Sequence, residues 1–235
     1  MDTEYEAGVE MGKFFADKGI KTAAIYGAFI PNPMHVYRTA GVLAGLGLSY
    51  GGATTEEDVV GLIFADQGID LSKISGDIKI VSYLQGYGDT TTDEINAAIQ
   101  AAPEAFLSVG MATTFFTQQL NAAGIEFSDI DSFTKSNGEA ITNGKLVYLA
   151  GKYSSSVGPA FALVMNAING NVIRDAQGNA VAHSQNYQVA TDSETFDKFY
   201  KNDNGDNPIY SRDTLDQIIG DTVTFDTINE VVASN

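Results

Sequence analysis

The sequence holds no cysteine and only two histidines, His35 and His183. The first absence removes disulfides, thiolate metal sites and cysteine nucleophiles together. It fits an exported bacterial protein, and it fits many cytosolic domains as well. The second leaves few general bases, since histidine is the side chain that titrates near neutrality. Basic residues are scarce too. Thirteen Lys and Arg stand against 30 Asp and Glu, for a formal net charge of −17. Such a chain lacks the cationic surface that nucleic acid or an anionic membrane requires. The charge is spread along the chain, which reads as a solvated surface rather than an acidic tail. No apolar run reaches membrane-spanning length. HExxH, GxSxG, a P-loop and a strand-borne GxGxxG are all missing. Asp129 and Asp131 lack a supporting histidine, so no metal site is expected, and no cofactor either. The helical pattern begins almost at once. No signal peptide is read ahead of Asp2, and a secreted parent would make this chain a processed form.

What is present is globular. The 235 residues are 44% hydrophobic and 18% charged, room for one large domain or two small ones. Residues 4–18 read as an amphipathic helix. Gly8, Val9, Gly12, Phe15 and Ala16 form one stripe; Glu6, Glu10, Lys13 and Asp17 form the opposite one. Short apolar strands follow at 21–26, 77–83, 105–109, 125–130 and 146–149. Helices are expected between them: from Pro33 or Met34 to about Leu46, at 58–65, after a Thr91 cap with Glu94 at capping-box spacing, at 113–123 and at 136–142. This alternation implies right-handed βαβ units. The expected fold class is α/β, a doubly wound five-stranded parallel sheet in the flavodoxin-like order 2-1-3-4-5. Helices should cover both faces, with a C-terminal hairpin around Gln177-Gly178-Asn179 and short helices after it. A further strand is expected at 187–191, and helices at 193–200, 211–219 and 224–232.

The segment 143–171 draws the most attention. Its helix, 157–168, is apolar nearly all round, so it wants protein on more than one side. It is either a core helix or a crossing where the chain leaves one lobe for another.

Ligands of open α/β sheets bind beyond the carboxyl ends of the strands. Those ends fall at 27–38, 83–89, 109–113, 129–132 and 151–156. They carry aromatic residues (Tyr37, Tyr83, Tyr87), charged ones (Arg38, Asp89, Asp131, Lys152) and hydroxyls (Ser132, Ser154, Ser156). A polyhydroxylated ligand suits that set, since charged groups bind hydroxyls and aromatic faces cover sugar C–H surface. Each also has a plainer reading. Arg38 is one turn into a helix, Asp129 and Asp131 can cap a turn, Lys152 can be solvated, and His35 can be a core residue.

The order of pieces resembles one family, the type I periplasmic sugar-binding proteins of the ribose- and galactose-binding group, which are related to the effector domains of LacI-type repressors. YEAGVEMGKFFADKGIKTAAIYG looks like the helix and strand that open that family's second lobe. YRTAG, with Arg38, is similar to its R-x-x-G. PEAFLSVG followed by QQLNAAGI looks like its strand and helix ending in "aAG". NGKLVYLAGKYSSSVGPAFALVMNAINGN is similar to its crossing back into the first lobe. The resemblance covers residues 4–191. It implies a solute receptor for an ABC importer, with two lobes closing on a sugar. By position, Arg38 becomes a sugar-hydroxyl ligand, the Tyr87 loop an aromatic platform, and Asp131 (or Ser132) the carboxylate contact. Lys152 falls at the hinge polar position. Gly110 and Met111 stand where the family often has Asn-Asp, a departure.

A complete member has a first lobe of on the order of 100 residues before the helix at Glu4. The chain is therefore expected to be a second lobe (1–152), a crossing segment normally packed with the first lobe (153–191) and a C-terminal helical extension (192–235). The implied partners are a small solute, a sugar by the resemblance, and an ABC transporter permease. The implied parent is a periplasmic or cell-surface lipoprotein. No enzyme activity, nucleic acid or membrane insertion is expected, and a homodimer through Val157 to Ile168 is. The rivals are an effector-sensing domain of a LacI-type regulator or sensor, and a small-molecule enzyme on a flavodoxin-like sheet.

Overall fold

A computed structural model describes residues 2–87, 89–181, 185–205 and 208–233. The chain divides into two compact units, Met1–Gly151 with Tyr187–Phe196, and Lys152–Asn186 with Asp197–Asn235.

The first unit holds α1 (Asp2–Asp17), β1 (Thr22–Tyr26), α2 (Pro33–Gly45), β2 (Ser49–Tyr50), α3 (Glu56–Asp66), β3 (Ile74–Ser75), β4 (Lys79–Leu84) and α4 (Asp89–Gln100). Then come β5 (Ala105–Ser108), α5 (Ala112–Phe115), α6 (Thr117–Ala123), β6 (Glu126–Ile130), α7 (Lys135–Asn143), β7 (Leu146–Gly151) and β8 (Gln188–Ala190). The main sheet runs β4-β1-β5-β6-β7-β8. Its first five strands are parallel, and in chain order they read 2-1-3-4-5, as the sequence implied. All four residues of β5 are buried, so both faces of the sheet are covered. β8 adds a sixth strand, antiparallel to β7. A separate two-stranded pair, β2 with β3, was not anticipated.

Two local expectations change. The helix expected at 113–123 breaks at Phe116, whose ring turns inward to meet Tyr26 edge-on at 4.9 Å and Phe106 at 5.9 Å. Burial of a large ring outweighs one turn of helix continuity here. And α4 begins at Asp89, so Thr91 lies inside the helix rather than at its cap.

The tightest packing in this unit joins α1 to α2. A Cβ placed on Gly8 would sit 2.1 Å from the Arg38 carbonyl oxygen, and one on Gly12 2.5 Å from that of Val42. On the facing helix, a Cβ on Gly41 would sit 2.1 Å from the Tyr5 oxygen, and one on Gly45 2.2 Å from that of Val9. Two small-residue stripes thus let the backbones touch, which places Arg38 against α1. The polar stripe of α1 (Glu6, Glu10, Lys13, Asp17) faces solvent, as expected.

The second unit holds α8 (Val157–Ile168), α10 (Arg212–Gln217) and α11 (Phe225–Ala233), while α9 (Ser193–Asn204) begins in the first unit and ends in the second. Ala162, Ile218 and Ile228 form the core of the second unit, with Leu163, Leu215 and Val231 packed around them. Asn166, fully buried, donates to the Ile218 carbonyl at 2.9 Å and accepts from the Gly220 amide at 2.8 Å. The expected hairpin is a tight turn closed by a single bridge between Arg174 and Ala180. The Asp175 carboxylate makes that turn by accepting from the amides of Gln177 and Asn179. The apolar surface of α8 divides. Gly158, Ala162 and Asn166 face the core, whereas Val157, Phe161, Val164 and Ile168 are exposed.

Gly41→Ala should lower stability by about 1–3 kcal/mol, because the new methyl must push two helix backbones apart. Gly61→Ala on α3, with nothing within 4 Å of its would-be Cβ, should instead raise stability by about 0.5–1 kcal/mol through helix propensity. Urea unfolding of the two variants reads the difference. Equal effects would contradict the backbone contact.

Candidate functional site

The carboxyl ends of the parallel strands in the first unit gather most of the chemistry. Arg38 sits on the second turn of α2, whose start is set by Asn32 accepting from the Met34 amide and by Pro33 in the first turn. Arg38 is only 6% exposed. Its Nε donates to Glu4 Oε2 at 2.7 Å, its Nη1 to the Val109 carbonyl at 2.9 Å, and its Nη2 to the Tyr187 hydroxyl. The Tyr187 hydroxyl donates in turn to Glu4 Oε2 at 2.6 Å, and the guanidinium carbon lies 5.5 Å from the Tyr187 ring centre. Burial, the largest cause, pushes the Tyr187 phenol well above its ordinary range. Arg38 therefore ties α1, α2, the exit of β5 and the approach to β8 into one buried cluster. Neither Glu4 nor Tyr187 was singled out from sequence. Glu4 did carry a signal, since it lies on the helical stripe of Ala7, Gly8 and Met11, and an acid on a buried stripe implies a buried partner.

His35 is buried next to this cluster. Its Nδ1 lies 3.0 Å from both the amide nitrogen and the carbonyl oxygen of Phe29, accepting from the one or donating to the other according to its tautomer. Burial first, and the Arg38 charge with it, holds its pKa below the usual value. His35 braces the exit of β1.

Asp129, at the end of β6, is fully inaccessible. It accepts from Ser108 Oγ at 2.9 Å and from the Thr113 amide and hydroxyl at 2.8 Å each. Burial pushes its carboxyl up to about 6, with the charge of Asp131 adding to that and the Thr113 and Ser108 donors opposing it. The plainer reading of Asp129, a capping role, describes these contacts.

Above this buried layer lies a row of exposed rings. Phe29 follows β1, Tyr87 follows β4, and Phe115 lies on α5 after β5. Their exposures are 49%, 45% and 39%. Ring centres are 6.4 Å apart between Phe29 and Tyr87, with planes 19° apart, and 5.3 Å apart between Tyr87 and Phe115. Met111 is also exposed. Ala28 and Met111 both take positive φ, 53° and 68°. Non-glycine residues rarely do so, and such strain gathers at functional rims.

Of the residues read from sequence, Tyr87 belongs to the row and Arg38 lies buried beneath the rim. Asp131 is half-buried at the end of β6, in long contacts of 3.4 Å each with Ser132 Oγ and Asn137 Nδ2. Tyr37 is half-buried, turned roughly 100° around α2 from Arg38. Asp89 opens α4, and its side chain lies outside the described residues, as does His183. Lys152 belongs to the second unit. It lines a cleft of about 310 Å³ with Ser156, Pro159, Ala160, Leu163 and Gln185. Phe29 and Phe115 were missed, because an exposed aromatic residue carries no periodicity, and Met111 was read only as a departure from the family pattern. A larger cleft, about 680 Å³, lies by the start of the edge strand β4, among Leu71, Ile74, Ile78, Lys79 and Ala101. It is at the opposite end of the strand from the exit loops, so size alone does not make it the site. Among the described residues no three His, Asp or Glu side chains gather to hold a metal ion, and no helix is long and apolar enough to cross a membrane.

No protein-family model and no curated protein matches the chain. Solved structures do. An ABC transporter periplasmic solute-binding protein from Actinobacillus succinogenes 130z, with bound D-allose, matches with a TM-score of 0.55 at 15% identity, over 84% of this chain and 61% of its own. The periplasmic component of the arabinose ABC transporter from Shewanella sp. ANA-3 matches with a TM-score of 0.57 at 17% identity, over 86% and 61%. A galactofuranose-binding protein gives 0.58 at 10% identity, over 86% and 62%. The chain thus has the fold of type I periplasmic sugar-binding proteins, and it spans about three-fifths of their length.

Glu4→Gln should cost about 3–5 kcal/mol, since it strips the counter-charge from a buried guanidinium. Glu126→Gln, which breaks the exposed pair with Lys18, should leave the unfolding midpoint nearly unchanged. Denaturant unfolding at neutral pH compares them. A small effect at Glu4 would show that the cluster is solvated.

Proposed function

We propose that the chain is a solute-binding lobe of a sugar receptor that serves an ABC importer. Residues 1–152 are the ligand lobe, 153–191 cross to a first lobe, and 192–235 are an extension. Closure takes place about Gly151–Ser156, the parent works outside the cytoplasm, and the protein has no chemistry of its own. The observation that carries this reading is the row Phe29, Tyr87, Phe115 at the strand ends of a sheet whose solved likenesses are sugar receptors. Aromatic faces cover the C–H surface of a sugar, and a half-buried carboxylate such as Asp131 binds its hydroxyls. In this reading Tyr87, Phe115 and Asp131 touch the solute. Arg38 acts mainly by fixing the rim, with two N–H groups left beyond its three bonds. Tyr37, Asp89 and Lys152 are outlying contacts.

Millimolar D-allose, L-arabinose and a galactofuranoside, titrated into labelled protein, should perturb the ring signals of Tyr87 and Phe115. Tyr87→Ala or Phe115→Ala should weaken binding about tenfold, or ~1.4 kcal/mol, without moving the unfolding midpoint. Unperturbed rings with all three sugars would remove the basis of the reading.

The open face of α8 is assigned to a second copy of the chain. Val157, Phe161, Val164 and Ile168 repeat at spacings of four, three and four, the seam of a helix pair, and the helix carries no charge. Small residues Ala160 and Ala167 flank the seam and permit close approach. The area on offer is on the order of 1,000 Å² over two copies, at the low end for specific association. Dimerisation should therefore be weak, and salt should strengthen it by screening the repulsion between copies of charge −17. Sedimentation velocity across protein concentration and salt reads this. Phe161→Asp should give a monomer throughout. A wild-type chain that stays monomeric in high salt would overturn the assignment.

A further inference from the structure

Two of the exposed rings, Tyr87 on the loop after β4 and Phe115 on α5, lead back to one buried carboxylate. Asp129 Oδ1 accepts from Ser108 Oγ, and Ser108 Oγ accepts from the Gly110 amide at 3.1 Å. Asp129 Oδ2 accepts twice from Thr113. One side chain therefore holds both ends of the turn 108–113. Within that turn Met111 takes positive φ at the start of α5, where its own side chain makes no cap bond. Phe115 then faces solvent while Phe116 turns in against Tyr26. The Tyr26 hydroxyl donates at 3.0 Å to the carbonyl of Gly86, the residue before Tyr87. Asp129 thus holds the start of α5 at Thr113, while Phe116, the residue after α5, packs on Tyr26 and on Phe115, and Phe115 meets Tyr87.

We infer that Asp129 is the positioning residue of the aromatic row, and that its proton occupancy sets where Phe115 and Tyr87 stand. The chemistry of the two states differs. Ionised, the carboxylate only accepts, which matches its three donors. Protonated, it must donate once. Oδ2 already faces two donors from Thr113, so the proton belongs on Oδ1. Ser108 then turns from donor to acceptor while it also accepts from Gly110. The loop end at Ser108 is held differently in the two states; Met111 lies on that loop and Phe115 on the helix it leads into.

The groups around Asp129 make this exchange reachable at mild acidity. Asp131 on the same strand adds a like charge. Tyr26 on β1 and Tyr87 after β4 feel the charge of Asp129 as neutral phenols. From α2, Arg38 Nη1 and His35 Nε2 reach the far side of the turn, 3.7 and 3.6 Å from where a Gly110 Cβ would lie. The latch rests on the proposed function only in giving the row a ligand to meet. Its test needs none.

In labelled protein titrated from about pH 4.5 to 7.5, the Asp129 carboxyl carbon and the Thr113 amide should titrate with a midpoint near 6. The ring signals of Phe115 and Tyr87 should follow with the same midpoint. Asp129→Asn should abolish the ring titration. Asp131→Asn should lower the shared midpoint for carboxyl and rings together, and it tests the latch even where Asp129→Asn does not fold. Rings that stay flat while the carboxyl titrates, or that titrate unchanged in Asp129→Asn, would overturn the inference. A lack of sugar binding with the coupled titration intact would count against the ligand reading alone.

Discussion

The first unit depends on the contact between the backbones of α1 and α2. Gly8, Gly12, Gly41 and Gly45 leave no room for a single methyl between the helices. Relative to alanine these four glycines cost roughly 3–4 kcal/mol of helix propensity. Dispersion and C–H···O contacts at the crossing must offset that loss. The contact has a consequence for the site. It brings Glu4 on α1 within hydrogen-bond reach of Arg38 on α2, and the guanidinium then reaches the Val109 carbonyl at the exit of β5. The rim above the sheet is thus set by a helix pair beneath it.

The rim itself has two layers. The lower layer is polar and buried: Glu4, Arg38, Tyr187, His35, Ser108 and Asp129, each with a hydrogen-bond partner. The upper layer is the exposed row of rings. Placing the charges below and the rings above keeps the exit loops in conformations they would not choose alone, as the positive φ of Ala28 and Met111 shows. In the proposed reading a site of this kind recognises by shape and apolar contact more than by charge.

Most of the sheet was legible because parallel strands buried on both faces read as short apolar runs between helices. The order 2-1-3-4-5 followed from the alternation and from handedness. What escaped had a physical reason. β2 and β3 are two residues each, too short to show a period. The break at Phe116 comes from its packing on Tyr26, 90 positions away in sequence. Arg38 was legible as a site-region residue from its place on α2, yet its partner Tyr187 lies 149 positions along the chain. No local pattern encodes such a bond. Tyr87 could be read from its loop, whereas Phe29 and Phe115 gained meaning only once the loops were brought side by side.

The charge of the chain narrows the ligand class further. At −17 the surface repels anions, so a phosphorylated or carboxylated solute would meet an unfavourable field on approach. A cation would be drawn in, and ring faces attract cations as well. Arg38, beneath the rim, is neutralised by Glu4 and adds little net field outside the cluster. A neutral, hydroxylated ring, the class of the proposed reading, is one that neither the field nor the row opposes. In that reading its apolar face meets the aromatic residues, and its hydroxyls meet Asp131. The same reasoning gives the buried layer its role: it keeps charge out of the contact surface while holding that surface in place.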